Sequence, residues 1–172
     1  MNLDHIIARF SDTTENRRKA IFSTLFIAGN KLQTLFDNHI PEITLKQFML
    51  LSIVRQAKEP LPFTQLGNLL GCSRQNIKKL ADSLQKKGFV TMEQSPLDTR
   101  ALCICPTEKV TTYFEEDFVQ YQEELAYLFE VYTEDEIETL FLLLSKLYTG
   151  IAHLEQRTGE RSSGHEEEAT DI

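Results

Sequence analysis

The stretch SRQNIKKLADSLQKKGFVTMEQSPLDTR, residues 73–100, constrains the fold more than any other part of the chain. Ser73 can accept a hydrogen bond from a free N–H of a first helical turn, which marks a helix start. Ile77, Leu80, Ala81 and Leu84 follow at i, i+3, i+4 and i+7, an apolar stripe one helix face wide. Gln75, Lys79, Asp82 and Lys86 point away from that stripe, and Arg74, Asn76, Lys78, Ser83 and Lys87 flank it. Gly88 stands where a left-handed C-terminal cap is needed. Strand-like sequence then fills 89–94, a polar tip 95–100, and a return strand 102–105. A basic, polar-faced helix leading directly into a β-hairpin is the layout of a winged helix. Taken alone, it is equally an ordinary solvated helix and hairpin.

The flanking sequence narrows the choice. An amphipathic helix is expected over 17–39, with Ile21, Phe22, Leu25, Phe26, Leu32, Leu35 and Phe36 on its apolar side and Pro41 at its end. Residues before it read as weakly structured. Thr44 and Gln47 form a capping-box pair that starts a second helix, which runs out before Pro60. Pro60 and Pro62 bracket a short extended link. Thr64 is expected to cap a brief helix over 65–70, stopped by Gly71. Two short helices joined by a tight glycine-containing turn are the helix-turn-helix signature.

Beyond the hairpin, Thr107 and Glu108 are expected to start a long helix running to about Tyr132. Thr133 then precedes Glu134, Asp135 and Glu136, acids placed where a helix dipole favours them. The last helix, 134–156, carries Leu140, Leu144, Leu147, Ile151 and Leu154 at steps of four and three, a coiled-coil-like seam. Phe141, Leu143 and Tyr148 widen that seam beyond what one surface helix needs, so the helix is expected to pack on two partners, one of them in a second subunit. Residues 157–172 lack apolar periodicity and read as a disordered tail. The expected domains are therefore 1–43 and 107–156 for dimerisation, enclosing a lobe at 44–106.

A net charge of −8 argues at first sight against nucleic acid. The charge is segregated, however. Residues 46–109 hold ten Lys and Arg against five Asp and Glu, while the remainder holds eight against twenty-one. That asymmetry implies a basic contact face on an acidic scaffold. The acid runs at 115–117, 123–124 and 166–168 read as solvated faces. Cys72, Cys103 and Cys105 form neither a disulfide framework nor a zinc spacing with the four scattered histidines, so no metal is expected. No leader is apparent, and the longest wholly apolar run, 140–144, is too short for a bilayer, so a cytoplasmic, reduced protein is expected. No nucleophile–base grouping, phosphate-cradling loop or hydride-cofactor fingerprint appears, which argues against an enzyme and against a cofactor.

With this order of elements, the chain resembles the MarR family of bacterial transcriptional regulators. The residues that carry the resemblance are Leu66-Gly67, the run from Leu70 to Asn76, Leu80 to Leu84, Lys87-Gly88-Phe89-Val90, Pro96 to Ala101, and Pro106 to Lys109. The resemblance implies a mostly α fold: a winged helix-turn-helix with long N- and C-terminal dimerisation helices and a two-stranded β wing. It implies a homodimer on a pseudo-palindromic double-stranded operator, repression of transcription, and release by a small-molecule effector. A second arginine is usual in such families where Thr99 stands, and Val110 and Pro106 replace the usual glycine and leucine.

If the helix from Ser73 enters a major groove, Gln75 and Asn76 can pair bidentately with adenine and Lys79 can donate to guanine. Thr64, Ser73, Arg74 and Lys78 are better placed for phosphates. Arg100 suits a narrow minor groove, with Asp98 supporting the wing as the resemblance implies. Lys86 and Lys87 read as a solvated helix end that suits the dipole. Leu140, Leu144, Leu147, Ile151 and Leu154 are the expected dimer contacts. Phe22, Phe26, Phe48 and Tyr113 can line an effector pocket, although each is read first as core. Two rival readings are a protein-interaction module on a winged-helix scaffold and a thiol-based redox regulator using Cys72, Cys103 or Cys105.

Overall fold

The computed structural model describes residues 12–95 and 100–168, with backbone alone at 117, 120, 123, 124 and 159–168. It divides into two units, Met1–Val119 and Gln120–Ile172.

In the first unit, helix α1 (Thr14–His39) starts earlier than its apolar pattern, because the Thr13 hydroxyl accepts the Asn16 N–H at 3.2 Å. It ends at Ile40, whose extended backbone leads into Pro41. The bend after it passes through Glu42 at φ +70°, a left-handed conformation uncommon outside glycine. Helix α2 (Leu45–Gln56) begins on the expected capping box. Gln47 N–H donates to Thr44 Oγ1 at 3.4 Å, and Thr44 N–H donates to Gln47 Oε1 at 3.1 Å. Leu45 N–H also reaches the Asp37 carboxylate at 2.6 Å, which ties the start of α2 to the last turns of α1.

The sheet has three strands rather than two. Strand β1 (Leu61–Pro62) pairs antiparallel with β3 (Leu102–Pro106), which also pairs with β2 (Val90–Gln94), giving the order β1-β3-β2. The link bracketed by prolines is thus itself a strand. Pro62 lacks an N–H, but at a sheet edge that donor is dispensable. Helix α3 (Phe63–Leu70) begins directly on Pro62, so Thr64 lies in its first turn and is not its cap. Pro62 sits in extended backbone, and burying Phe63 at 3% exposure favours the earlier start. Gly71 ends α3 at φ +63°, as its position requires.

Helix α4 (Arg74–Lys86) follows the apolar stripe closely. Ser73 Oγ accepts the Asn76 N–H at 3.2 Å, and Ile77, Ala81 and Leu84 are fully buried. Leu80 is only partly covered. Gly88 takes φ +80°, and Phe89 N–H closes on Leu84 O at 3.0 Å. These residues pack with Leu50, Leu51, Leu66, Phe89, Val90 and Ile104 as the fully buried heart of the lobe.

The single long helix expected from Thr107 to Tyr132 is interrupted. Thr107 makes no side-chain cap. Its hydroxyl donates instead to Gly88 O at 2.7 Å and Phe89 O at 3.0 Å. Helix α5 (Glu108–Thr112) gives way to a π-helical turn (Tyr113–Asp117), closed by Phe118 N–H on Tyr113 O at 2.8 Å. Helix α6 (Val119–Phe129), which belongs to the second unit but for its first residue, ends before Tyr132. With Phe118 bonded back to Tyr113 across the π turn, three rings face one core. Tyr113, Phe114 and Phe118 are all buried, and Phe48 stacks on Phe118 at 4.5 Å and on Phe114 at 5.3 Å. Phe36 joins from α1 at 5.3 Å from Phe48.

In the second unit, Thr133 and Glu136 cap helix α7 (Glu134–Glu168) reciprocally, with Glu136 N–H on Thr133 Oγ1 at 3.3 Å and Thr133 N–H on Glu136 Oε2 at 2.9 Å. The helix continues past Gln156 to Glu168, through residues expected to be disordered. Glu and Arg are strong helix formers and no proline interrupts them, so the helix outlasts its apolar stripe. Over Glu134–Thr158 it is long and apolar enough, by length and composition alone, to cross a bilayer, which the short run 140–144 did not reveal.

Candidate nucleic-acid interface

Burying Ile77, Ala81 and Leu84 turns the opposite side of α4 outward, and Arg74, Gln75, Asn76, Lys78 and Lys79 are all exposed. The first turn of that helix therefore presents amide and cationic groups to solvent as a block. Lys78 is not idle. Its ammonium pairs with Asp82 at 2.9 Å, one helical turn on, and both side chains remain largely solvated. The Ser73 hydroxyl oxygen is engaged as the helix cap.

Three of the expected residues come from different elements and meet. Thr64 in the first turn of α3, Arg74 at the start of α4 and Arg100 at the foot of the wing line one cleft of about 210 Å³, walled by Phe63 and Leu102. The β1–β3 pairing makes this possible, because it brings the start of α3 beside the strand that carries the wing back. The wing base is held by Ser95 N–H on Ala101 O at 2.8 Å, with Ser95 itself buried. Two guanidinium groups and a hydroxyl around one cleft suit an oxyanion such as a phosphodiester. Asp98 lies outside the described residues.

Lys87 is an exposed helix end, as read, but it also makes contacts of its own. Its ammonium donates to the Glu42 carbonyl and, at 3.1 Å, to Gln47 Oε1. Gln47, at 5% exposure, passes the contact on by donating its Nε2 to Ser83 Oγ at 2.9 Å. Lys109 donates to Lys87 O at 3.2 Å, pairs with Glu42 at 3.3 Å and lies over the Phe89 ring at 4.3 Å. Arg55, still exposed, lies over the Phe114 ring at 4.9 Å and pairs with Glu115 at 3.8 Å. Sequence spacing carries no sign of these contacts, since Glu42 and Lys87 lie far apart along the chain.

Cys103 and Cys105 offer little to a thiol switch, and Cys72 is a free, partly exposed thiol in the turn before α4. Cys103 is buried and Cys105 partly covered on β3. Burial, with the Glu93 carboxylate nearby, pushes the Cys105 thiol above its ordinary range and disfavours the reactive thiolate. Of the aromatic residues considered for a ligand pocket, Tyr113 and Phe48 belong to the aromatic core. Phe22 and Phe26 do not. They touch each other edge-on at 4.9 Å and are 64% and 60% exposed.

Residues 43–102 match the MarR family. The chain is 30% identical over 121 residues to YpoP of Bacillus subtilis (strain 168), an uncharacterized HTH-type transcriptional regulator, covering 69% of this chain and 81% of YpoP. It is 31% identical over 87 residues to YcgE, a regulator of the same description and organism, covering 51% of this chain but only 56% of YcgE. Among solved structures, a mutant MarR from E. coli complexed with operator DNA superposes with a TM-score of 0.67 at 23% identity, over 79% of this chain and 99% of that one.

Proposed function

Because the chain belongs to the MarR family of transcriptional regulators, we propose that it binds a pseudo-palindromic double-stranded operator as a homodimer and represses transcription there. The observation that carries the reading is the outward row of α4 beside the cleft shared by Thr64, Arg74 and Arg100. Gln75, Asn76 and Lys79 read base edges in a major groove. Thr64, Ser73, Arg74 and Lys78 hold phosphates, and Arg100, supported by Asp98, enters the adjoining minor groove. The DNA-bound state of the E. coli relative of this fold is consistent with that arrangement. The protein acts in the cytoplasm, without a cofactor and without catalysis.

The dimer is supported by what the chain leaves uncovered. Helix α1 buries none of its own residues, and Ile21, Phe22, Phe26 and Leu35 are each more than half exposed. On α7, Leu144, Leu147, Ile151 and Leu154 are 40–63% exposed along one seam that also includes Leu140. Apolar faces of this length on both terminal helices favour a second copy of the chain over bulk water. Two recognition helices related by a two-fold then read half-sites about 10 bp apart. A small-molecule effector releases the operator by favouring a different spacing of the two lobes.

The test is a titration of a duplex carrying the DNA upstream of the protein's own gene, repeated across salt concentrations. Binding that neutralises several phosphates gives a straight log–log plot with a slope of roughly −0.9 per phosphate. A chain that ignores every duplex at moderate ionic strength is a protein-interaction module instead.

A further inference from the structure

We infer that Lys87 and Lys109 are positioning residues that set the angle of the recognition helix from its C-terminal end, not part of its DNA-contacting charge. The inference rests on the DNA-binding reading of α4. Both lysines lie in the basic stretch 46–109 and would ordinarily be counted toward its electrostatic footprint. Their ammonium groups are committed elsewhere. Lys87 serves the Glu42 carbonyl and the Gln47 carboxamide, and Lys109 serves the Lys87 carbonyl and the Glu42 carboxylate.

Glu42 is the common anchor. Its left-handed backbone, φ +70°, lets one residue present its carbonyl to Lys87 and its carboxylate to Lys109. It sits in the bend between α1 and α2, and Asp37 ties the end of α1 to the Leu45 N–H beside it. On the other side, Lys87 is the C-cap of α4, and Gln47 grips Ser83 one turn earlier. The last turn of the recognition helix is thereby held at two heights to the start of α2. Thr107 adds a third tie at the Gly88 and Phe89 carbonyls, where Lys109 also covers the Phe89 ring. Base readout by Gln75, Asn76 and Lys79 depends on the axis of the helix, which these contacts fix at the end remote from the DNA.

The experiment compares Lys87→Met, Lys109→Gln, Lys87→Arg and the neighbouring Lys86→Met with the native full chain, by duplex affinity across salt and by thermal unfolding. Lys87→Met and Lys109→Gln, folded at the assay temperature, bind about tenfold more weakly, the size of one charge-assisted hydrogen bond. Their log–log salt slopes stay native, whereas Arg74→Met, which removes a phosphate contact, lowers the slope by roughly one. Lys87→Arg recovers most of the affinity because it keeps the donors, and Lys86→Met changes little. Native affinity in both Lys87→Met and Lys109→Gln, or a slope falling by about one, overturns the inference. If the native chain binds no duplex, the DNA reading fails instead. Amide exchange then decides: unchanged protection from Ser83 to Phe89 in Lys87→Met overturns the positioning role too.

Discussion

Replacing Gly67 by alanine tests whether the helix-turn-helix is held together by backbone packing. A Cβ built on Gly67 would lie 2.6 Å from the Cys72 carbonyl oxygen, against the 3.4 Å at which ordinary contact begins. The shortfall approaches an ångström, and the obstacle is backbone, which cannot rotate aside as a side chain would. The same turn is closed by Cys72 N–H on Gly67 O at 2.9 Å, so widening it strains a hydrogen bond as well. Overpacking of this kind costs about 1–3 kcal/mol, and the strained hydrogen bond adds up to about 1. Against this stands the helix-propensity gain of about 1 kcal/mol for Gly→Ala in a helix interior. The net expectation is a loss of about 2 kcal/mol. Urea unfolding should show a lower midpoint with the same slope. Gly71→Ala is the contrast. Nothing lies within 4 Å of its Cβ, but φ is +63°, so the cost is purely torsional, about 1 kcal/mol. A Gly67→Ala protein as stable as the native one, or more stable, would refute the packing argument.

Three further outcomes are expected. Arg74→Ala should weaken duplex binding and lower the salt slope by roughly one per protomer, and an unchanged slope removes it from phosphate contact; Arg100→Ala should weaken binding to a duplex with an A·T-rich wing site, and unchanged affinity there removes it from the minor groove. Leu147→Glu places a charge on the α7 seam and should convert a dimer to monomer in sedimentation equilibrium, whereas the same mass for both proteins places the interface elsewhere. Because Cys105 is held above the ordinary thiol range, its thiolate is scarce at neutral pH, and alkylation should be slow until the pH is raised past that range. Glu93→Gln removes the nearby carboxylate charge and should speed the reaction at a fixed pH; peptide mapping after iodoacetamide treatment reads both.

Much of this fold was legible wherever a local rule sufficed. The stripe of Ile77, Ala81 and Leu84 follows from helical period, and Ser73, the Thr44–Gln47 box and Thr133 cap as their side chains predict. Gly71 and Gly88 fall at positive φ where helices must stop. The features that escaped depend on distant partners. A two-residue strand containing proline has no pattern of its own, and β1 exists because β3 offers it an edge. Thr64 looked like a cap because threonine commonly is one, but burial of Phe63 moved the helix start. The solvated end at Lys87 was legible, but not its hydrogen bonds, because their acceptors are distant in sequence. Its acceptors are Glu42 and Gln47. The gathering of Thr64, Arg74 and Arg100 likewise depends on the sheet, since no spacing among them points to a shared cleft.

The widened turn at 113–117 has a bearing on how this region tolerates length changes. Each helical residue advances the side-chain direction by about 100°. The turn absorbs one extra residue, because Phe118 closes on Tyr113 five residues back where a regular helix closes on the fourth. Removing one residue between them would restore the regular spiral and leave Phe118 on the face it shares with Tyr113, against Phe48. A single-codon deletion of Glu115 or Glu116 should therefore be tolerated far better than a deletion inside a regular helix, where every downstream side chain would swing by about 100°.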